Sequence, residues 1–164
     1  MTVYLNPQYY DGPVCRQVKL AAKDGQTWQV GQFVRTTDSG IVLCKSNATS
    51  ITGLTAETQA TATSSSTVNI NVIPGASTRF VIGVTTGGAD TKAGEVLIGS
   101  NEGLAVNSCV CTLSTGNDTN EILRVQDVLG RVEPNSGLND TDDVPGFAIV
   151  SVVQSALDAE GAGL

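Results

Sequence analysis

The sequence predicts an all-β fold, and three observations carry that prediction. Val alone occupies 20 positions and Thr and Ser together 32, while charged residues make up only 15 %. A β-branched, hydroxyl-rich, weakly charged chain suits pleated sheets whose surfaces are buried or paired. Apolar runs are short and punctuated by Gly, Asp, Asn and Pro, as strands joined by tight turns require. Helical spacing recurs in one stretch only, so at most one short helix is expected. With 164 residues the chain can bury a real core without metals or crosslinks.

Residues 1–13 read as an extended N-terminal arm. Tyr4, Tyr9 and Tyr10 supply flat amphipathic surface, while Pro7 and Pro13 exclude a helix. The arm is either a terminal strand capping the core or an element that packs on a neighbour. Residues 14–155 are taken as a single β-rich domain and 156–164 as a flexible tail. Trp28 is a candidate core plug. Val68, Ile70 and Val72 alternate on one face of a strand that Pro74-Gly75 then turns. Phe80–Val84 and Phe147–Val153 are apolar runs of strand length, expected to be buried.

Residues 56–67 lack large apolar side chains and read as a mobile loop or flat polar strand outside the core. Gly83–Gly88 reads as a turn. Ile122, Val125, Val128 or Leu129, and Val132 recur at helical spacing, although Gly130 and the valines favour strands; a short helix or turn followed by a strand is the expectation. Residues 134–146 read as a loop.

One internal echo stands out. Gly31–Leu43 can be laid over Gly94–Val106, each with Gly, a polar residue, two apolar residues, and an Asp or Asn two before a second Gly. Each copy reads as strand, turn, strand, with Asp38-Ser39-Gly40 and Asn101-Glu102-Gly103 as the turns. Both copies are short, so the echo raises only a suspicion of duplication.

Histidine is absent. No imidazole is available for a Ser-His-Asp or Cys-His nucleophile, or for a mixed Cys/His zinc site. The expectation is a non-enzyme with no catalytic residues, no cofactor and no metal. Asp140-Thr141-Asp142-Asp143 and Asn117–Glu121 each lack the third alternate ligand of a calcium loop. The four cysteines are expected to be thiols, Cys109 and Cys111 sharing one face of a strand.

The net charge is −7 and uneven: residues 1–94 carry seven cations and five anions, residues 95–164 two cations and eleven anions. Nothing clusters cations as nucleic-acid binding needs. No apolar run is long enough to span a membrane, and Met1–Pro7 lacks the features of a signal peptide. The expectation is therefore synthesis in the cytoplasm, with no nucleic-acid or membrane partner.

Three stretches carry a family likeness: Val30-Gly31-Gln32-Phe33-Val34 running through Gly40-Ile41-Val42-Leu43; Phe80-Val81-Ile82-Gly83-Val84 followed by Ala93-Gly94-Glu95-Val96-Leu97; and Pro145-Gly146-Phe147-Ala148-Ile149. In these, over residues 25–155, the chain resembles the small capsid-decorating (cement) proteins of tailed double-stranded DNA bacteriophages. The resemblance implies a compact β-barrel or β-tulip-like module, often a homotrimer, that sits on the outer capsid surface of the virion and binds the major capsid protein. Tyr4, Leu5, Tyr9 and Tyr10 are the candidate partner-binding residues. The competing reading is a carbohydrate-binding or adhesin-like β domain of a phage fibre.

Overall fold

The computed structural model describes residues 6–58, 61–85, 98–107, 110–114, 119–131 and 145–158. Among them the fold is all-β, and its one helical element is a 3-10 turn at Gln154–Ala156. Strand β1 (Gln8–Asp11) precedes two sets of five. The first set is β2 (Arg16–Ala21), β3 (Phe33–Thr37), β4 (Gly40–Leu43), β5 (Gly53–Thr55) and β6 (Thr67–Val72). The second is β7 (Arg79–Thr85), β8 (Asn101–Asn107), β9 (Val110–Ser114), β10 (Leu123–Arg131) and β11 (Pro145–Val152).

The second set closes into a five-stranded barrel in the order β7-β11-β10-β8-β9, with β9 returning to β7. Five strands around a ring cannot all alternate in direction, so one neighbouring pair must run parallel. That pair is β7–β9, through Val84–Leu113 and Thr85–Ser114. The first set forms a separate antiparallel sheet in the order β2-β6-β5-β3-β4. It curls far enough for one parallel bridge, Ala22–Ile41, to join its two ends.

Taken in chain order, the two sets have the same connectivity and the same register. In the sheet, Ala21 faces Thr67; five residues on, Val72 faces Gly53, which faces Val34; two residues on, Thr36 faces Ile41, which bridges Ala22. In the barrel, Gly83 faces Phe147; five residues on, Val152 faces Leu123, which faces Glu102; two residues on, Leu104 faces Leu113, which pairs with Val84. Every step corresponds. The molecule is two copies of one five-stranded topology, the second closed and the first held by a single bridge.

The echo in the sequence points at this relationship in the wrong frame. Its first copy is correct: β3 and β4 are joined by Asp38-Ser39, and Gly40 has a φ of 111°. In the second copy, Asn101, Glu102 and Gly103 lie inside β8 instead of forming a turn, and the positive φ falls at Gly99. The register equates β8 with β3, whereas the echo lays β8 over β4.

Other expectations meet the structure strand by strand. Val68, Ile70 and Val72 are buried on one face while Asn69 and Asn71 are half-buried on the other. Phe80, Ile82 and Val84 are buried in β7, as are Ala148–Val152 in β11. No helix or turn opens the stretch after Ile122. It is strand β10, paired with β11 from Leu123 to Arg131, and a bulge at Gln126 shifts the register. A bulge inserts one residue on one strand, which disguises the period of two. Gly83–Thr85 is strand, not turn, residues 86–88 lying outside the described residues. Ala62, in the stretch read as lying outside the core, is buried beneath the first sheet. Of residues 134–146, read as a loop, Pro145 and Gly146 instead open strand β11, and residues 134–144 lie outside the described residues.

The sheet has two faces and serves two cores. Consecutive residues of β3 point opposite ways: Val34 joins Trp28, Ile41, Val68, Ile70 and Val72, while Phe33 joins the barrel core. There Phe33 meets Phe80 edge-on, with ring centroids 5.9 Å apart. Such T-shaped pairs add attraction beyond area burial. Trp28 is fully buried, as a plug should be. Residue 156, taken from the sequence as the start of a flexible tail, lies instead in a clasp. Ile51 N–H donates to Ala156 O at 2.8 Å, and Thr52 Oγ1 donates to Asp158 Oδ2 at 2.9 Å.

Candidate interaction surface

β1 lies along the first half of β7, pairing Gln8 with Val81, Tyr9 with Phe80 and Asp11 with Arg79. It uses the same edge of β7 that β9 uses further along. Two prolines bracket it, so the chain enters and leaves as an extended segment. Past Asp11 the chain bends at Gly12, with a φ of 90°; a Cβ there would sit 2.4 Å from Ser77 O. Only glycine accepts both that conformation and that approach.

Six of the described arm residues, Asn6 and Tyr9 to Pro13, are held by named contacts. Arg79 donates to both carboxylate oxygens of Asp11. Its guanidinium also lies 5.8 Å from the centre of the Tyr10 ring, within cation–π range. Tyr9 Oη donates to Gly12 O at 2.6 Å, and Thr78 Oγ1 to Pro13 O at 2.9 Å. Asn6 touches both halves of the molecule: its Oδ1 accepts from Cys111 N–H at 2.8 Å, and its Nδ2 donates to Val30 O at 3.4 Å.

These ties fix the arm but leave its apolar surface open. Tyr9, Tyr10, Val14 and Val30 are 47, 48, 76 and 54 % exposed. Tyr9 and Val30 also line a cleft of about 290 Å³, whose floor includes Leu54 and Phe80 and whose wall includes Cys15. Tyr9 and Val30 share this cleft, while Tyr10 and Val14 add exposed apolar area along the arm without lining it; exposed tyrosines of this kind are enriched at protein interfaces.

Of the residues singled out from the sequence, Tyr9 and Tyr10 are exposed on β1, while Tyr4 and Leu5 lie outside the described residues. Val14 and Val30 were missed, and no local pattern marks them. No group of three or more Cys, Asp or Glu gathers at metal-binding spacing among the described residues. Cys44 and Cys111 are buried thiols, and burial pushes Cys111 up to about 12. Cys15 is half-buried and likewise raised by burial, while Cys109 lies outside the described residues. No helix among the described residues is long and apolar enough to cross a membrane. Comparison with protein-family models, with curated proteins and with solved structures finds no match to this chain.

Proposed function

We propose that this protein is a structural virion component that binds the outer surface of a bacteriophage capsid and stabilises the shell by bridging its subunits. The observation that carries the reading is the apolar area left open where β1 is paired onto β7: Tyr9 and Val30 at one cleft, with Tyr10 and Val14 exposed along the arm. The likeness of the hairpin and strand motifs to capsid-decorating proteins supports it. Tyr presents a large contact area at low cost in conformational freedom. An arm already ordered by Asp11–Arg79 and by two prolines loses little entropy on docking.

The mechanism is mechanical. A module that contacts several subunits only in the assembled, expanded shell lowers the free energy of that state and of no other, so by mass action it opposes disassembly. Several modest interfaces acting together suffice through effective concentration. The major capsid protein is the partner, a homotrimer is the working oligomer, and no cofactor, nucleic acid or membrane takes part.

Co-sedimentation with expanded and unexpanded shells of the encoding virus tests the reading. Binding to expanded shells, lost on deleting residues 1–13 while the remaining chain stays folded, is the expected result. Equal occupancy after that deletion removes the arm from the mechanism. Glycan binding without affinity for any shell favours the carbohydrate-binding alternative.

A further inference from the structure

The repeated register carries an inference about a second surface. In the barrel, the edge of β7 is shared by two strands: β9 pairs with Val84 and Thr85, and β1 pairs with Arg79, Phe80 and Val81. In the sheet, Ala22 is the counterpart of Val84 and bridges Ile41 of β4. The counterparts of Arg79, Phe80 and Val81 are then Gln17, Val18 and Lys19 on β2. No described strand lies alongside them, and among the described residues β2 pairs with β6 alone. Among the described residues there are two equivalent slots and one arm strand to fill them.

We infer that the open edge of β2, from Arg16 to Leu20, is a docking slot for an extended, carboxylate-bearing segment of the capsid subunit, which adds there as a strand in the way β1 adds to β7. This rests on the shell-binding reading above. The filled slot shows what the occupant looks like. β1 runs antiparallel to its host and carries Asp11, whose carboxylate meets the cation that β7 offers. The empty slot offers Arg16 and Lys19, both exposed, and neither makes an ion pair among the described residues. An acidic residue opposite Gln17 lies on the face of Lys19, and one at the next position meets Arg16 on the other face, while main-chain hydrogen bonds to β2 supply the rest. Among the described residues, counting argues for a foreign strand. A second copy could give its own β1 only by opening the equivalent edge of its β7, so exchange between copies gains no strand.

The test compares wild type with Arg16→Glu/Lys19→Glu, two exposed positions whose change leaves the fold intact by circular dichroism. Expanded shells and co-sedimentation give occupancy, and amide hydrogen exchange of β2 is read free and on the shell. The expected results are binding at least tenfold weaker for the double variant, salt-sensitive binding for wild type, and slowed exchange at Gln17–Leu20 on the shell. Wild-type binding with equal binding by the variant and unslowed β2 amides overturns the slot while leaving shell binding intact. Absence of wild-type binding removes the shell reading and the slot with it. Reversible self-association of wild type in sedimentation velocity, abolished by the double variant, assigns the edge to a second copy and overturns the inference.

Discussion

Ala22 and Ile41 form a single parallel bridge, with Lys23 N–H donating to Ile41 O at 3.0 Å, and this bridge joins the two ends of the first sheet at the position where Val84–Leu113 closes the barrel. Gly40 makes the bridge possible. Its φ is 111°, and a Cβ there would lie 2.9 Å from Ala21 O and from Lys23 N. Gly40→Ala is expected to lose about 1–3 kcal/mol by urea unfolding, the range for a strained backbone position. Gly75→Ala, with nothing within 4 Å of its Cβ position, should change stability little. Equal stability of the two variants removes this role of Gly40.

Phe33 couples the halves, because its ring enters the barrel core while its neighbour Val34 serves the sheet. Phe33→Ala should cost about 3–5 kcal/mol, as expected for a fully buried phenylalanine. It should also separate the unfolding transitions. In wild type, Trp28 fluorescence, which reports the sheet, and far-ultraviolet circular dichroism, which reports both halves, should fall together. Coincident transitions in Phe33→Ala would show that the remaining contacts, Leu54 in the same core and the clasp from Ile51 to Ala156, suffice to couple the halves.

Much of this was legible in the sequence, and the failures have physical causes. The alternation of Val68, Ile70 and Val72 and the runs at Phe80 and Phe147 marked strands because one face, or both, must be buried. Asp38-Ser39-Gly40 marked its turn because the chain there needs a positive φ. β10 was misread because the bulge at Gln126 breaks its period. Val30 gave no signal because it meets Tyr9 only across a cleft between segments remote in sequence. The duplication was seen in the wrong frame because the repeat is preserved in pairing and not in residue type: Val34 has the counterpart Glu102, and Gly53 has Leu123.

The seam between the halves also carries a pH dependence. Cys44 and Cys111 lie in the shared core; burial pushes Cys111 up to about 12 and Cys44 well above its ordinary value of 9.0, with Cys111 raising Cys44 further. In the unfolded chain these thiols ionise near 9, so above that pH the folded state holds protons that the unfolded state has lost. Stability is then complete below pH 9 and declines as pH rises toward 12, at up to about 1.4 kcal/mol per unit for each thiol. Urea midpoints at pH 7, 9 and 10 check this. Cys111→Ala should flatten the decline, and an unchanged slope would assign it to other groups.

The ion pair beside the arm predicts a local effect. Arg79 and Asp11 are both about 40 % exposed in their side chains, so water and salt screen them and the pair adds little to global stability. Its role is to hold β1 against β7. Asp11→Asn keeps the side chain's size but removes the charge that Arg79 grips and that raises Arg79. The melting temperature should barely move, while amides of β1 exchange faster and 0.5 M salt imitates the substitution in wild type. Slow β1 exchange in Asp11→Asn would mean that the backbone ladder alone holds the strand.

The exposed apolar area and the arm's attachment can be separated, and this decides how the exposed tyrosines act. Tyr9 donates to Gly12 O and Tyr10 lies under Arg79, so truncating either ring removes a tie as well as contact area. Val14 makes no such tie in the structure and is the most exposed of the four at 76 %. If the surface works by burying apolar area, Val14→Asp should weaken shell binding about tenfold or more, because the interface must then bury a charge, with β1 exchange unchanged. Tyr10→Ala should weaken binding and quicken β1 exchange together. If Val14→Asp binds as wild type while Tyr10→Ala does not, the tyrosines act by keeping the arm in place, and the contact lies elsewhere on the module.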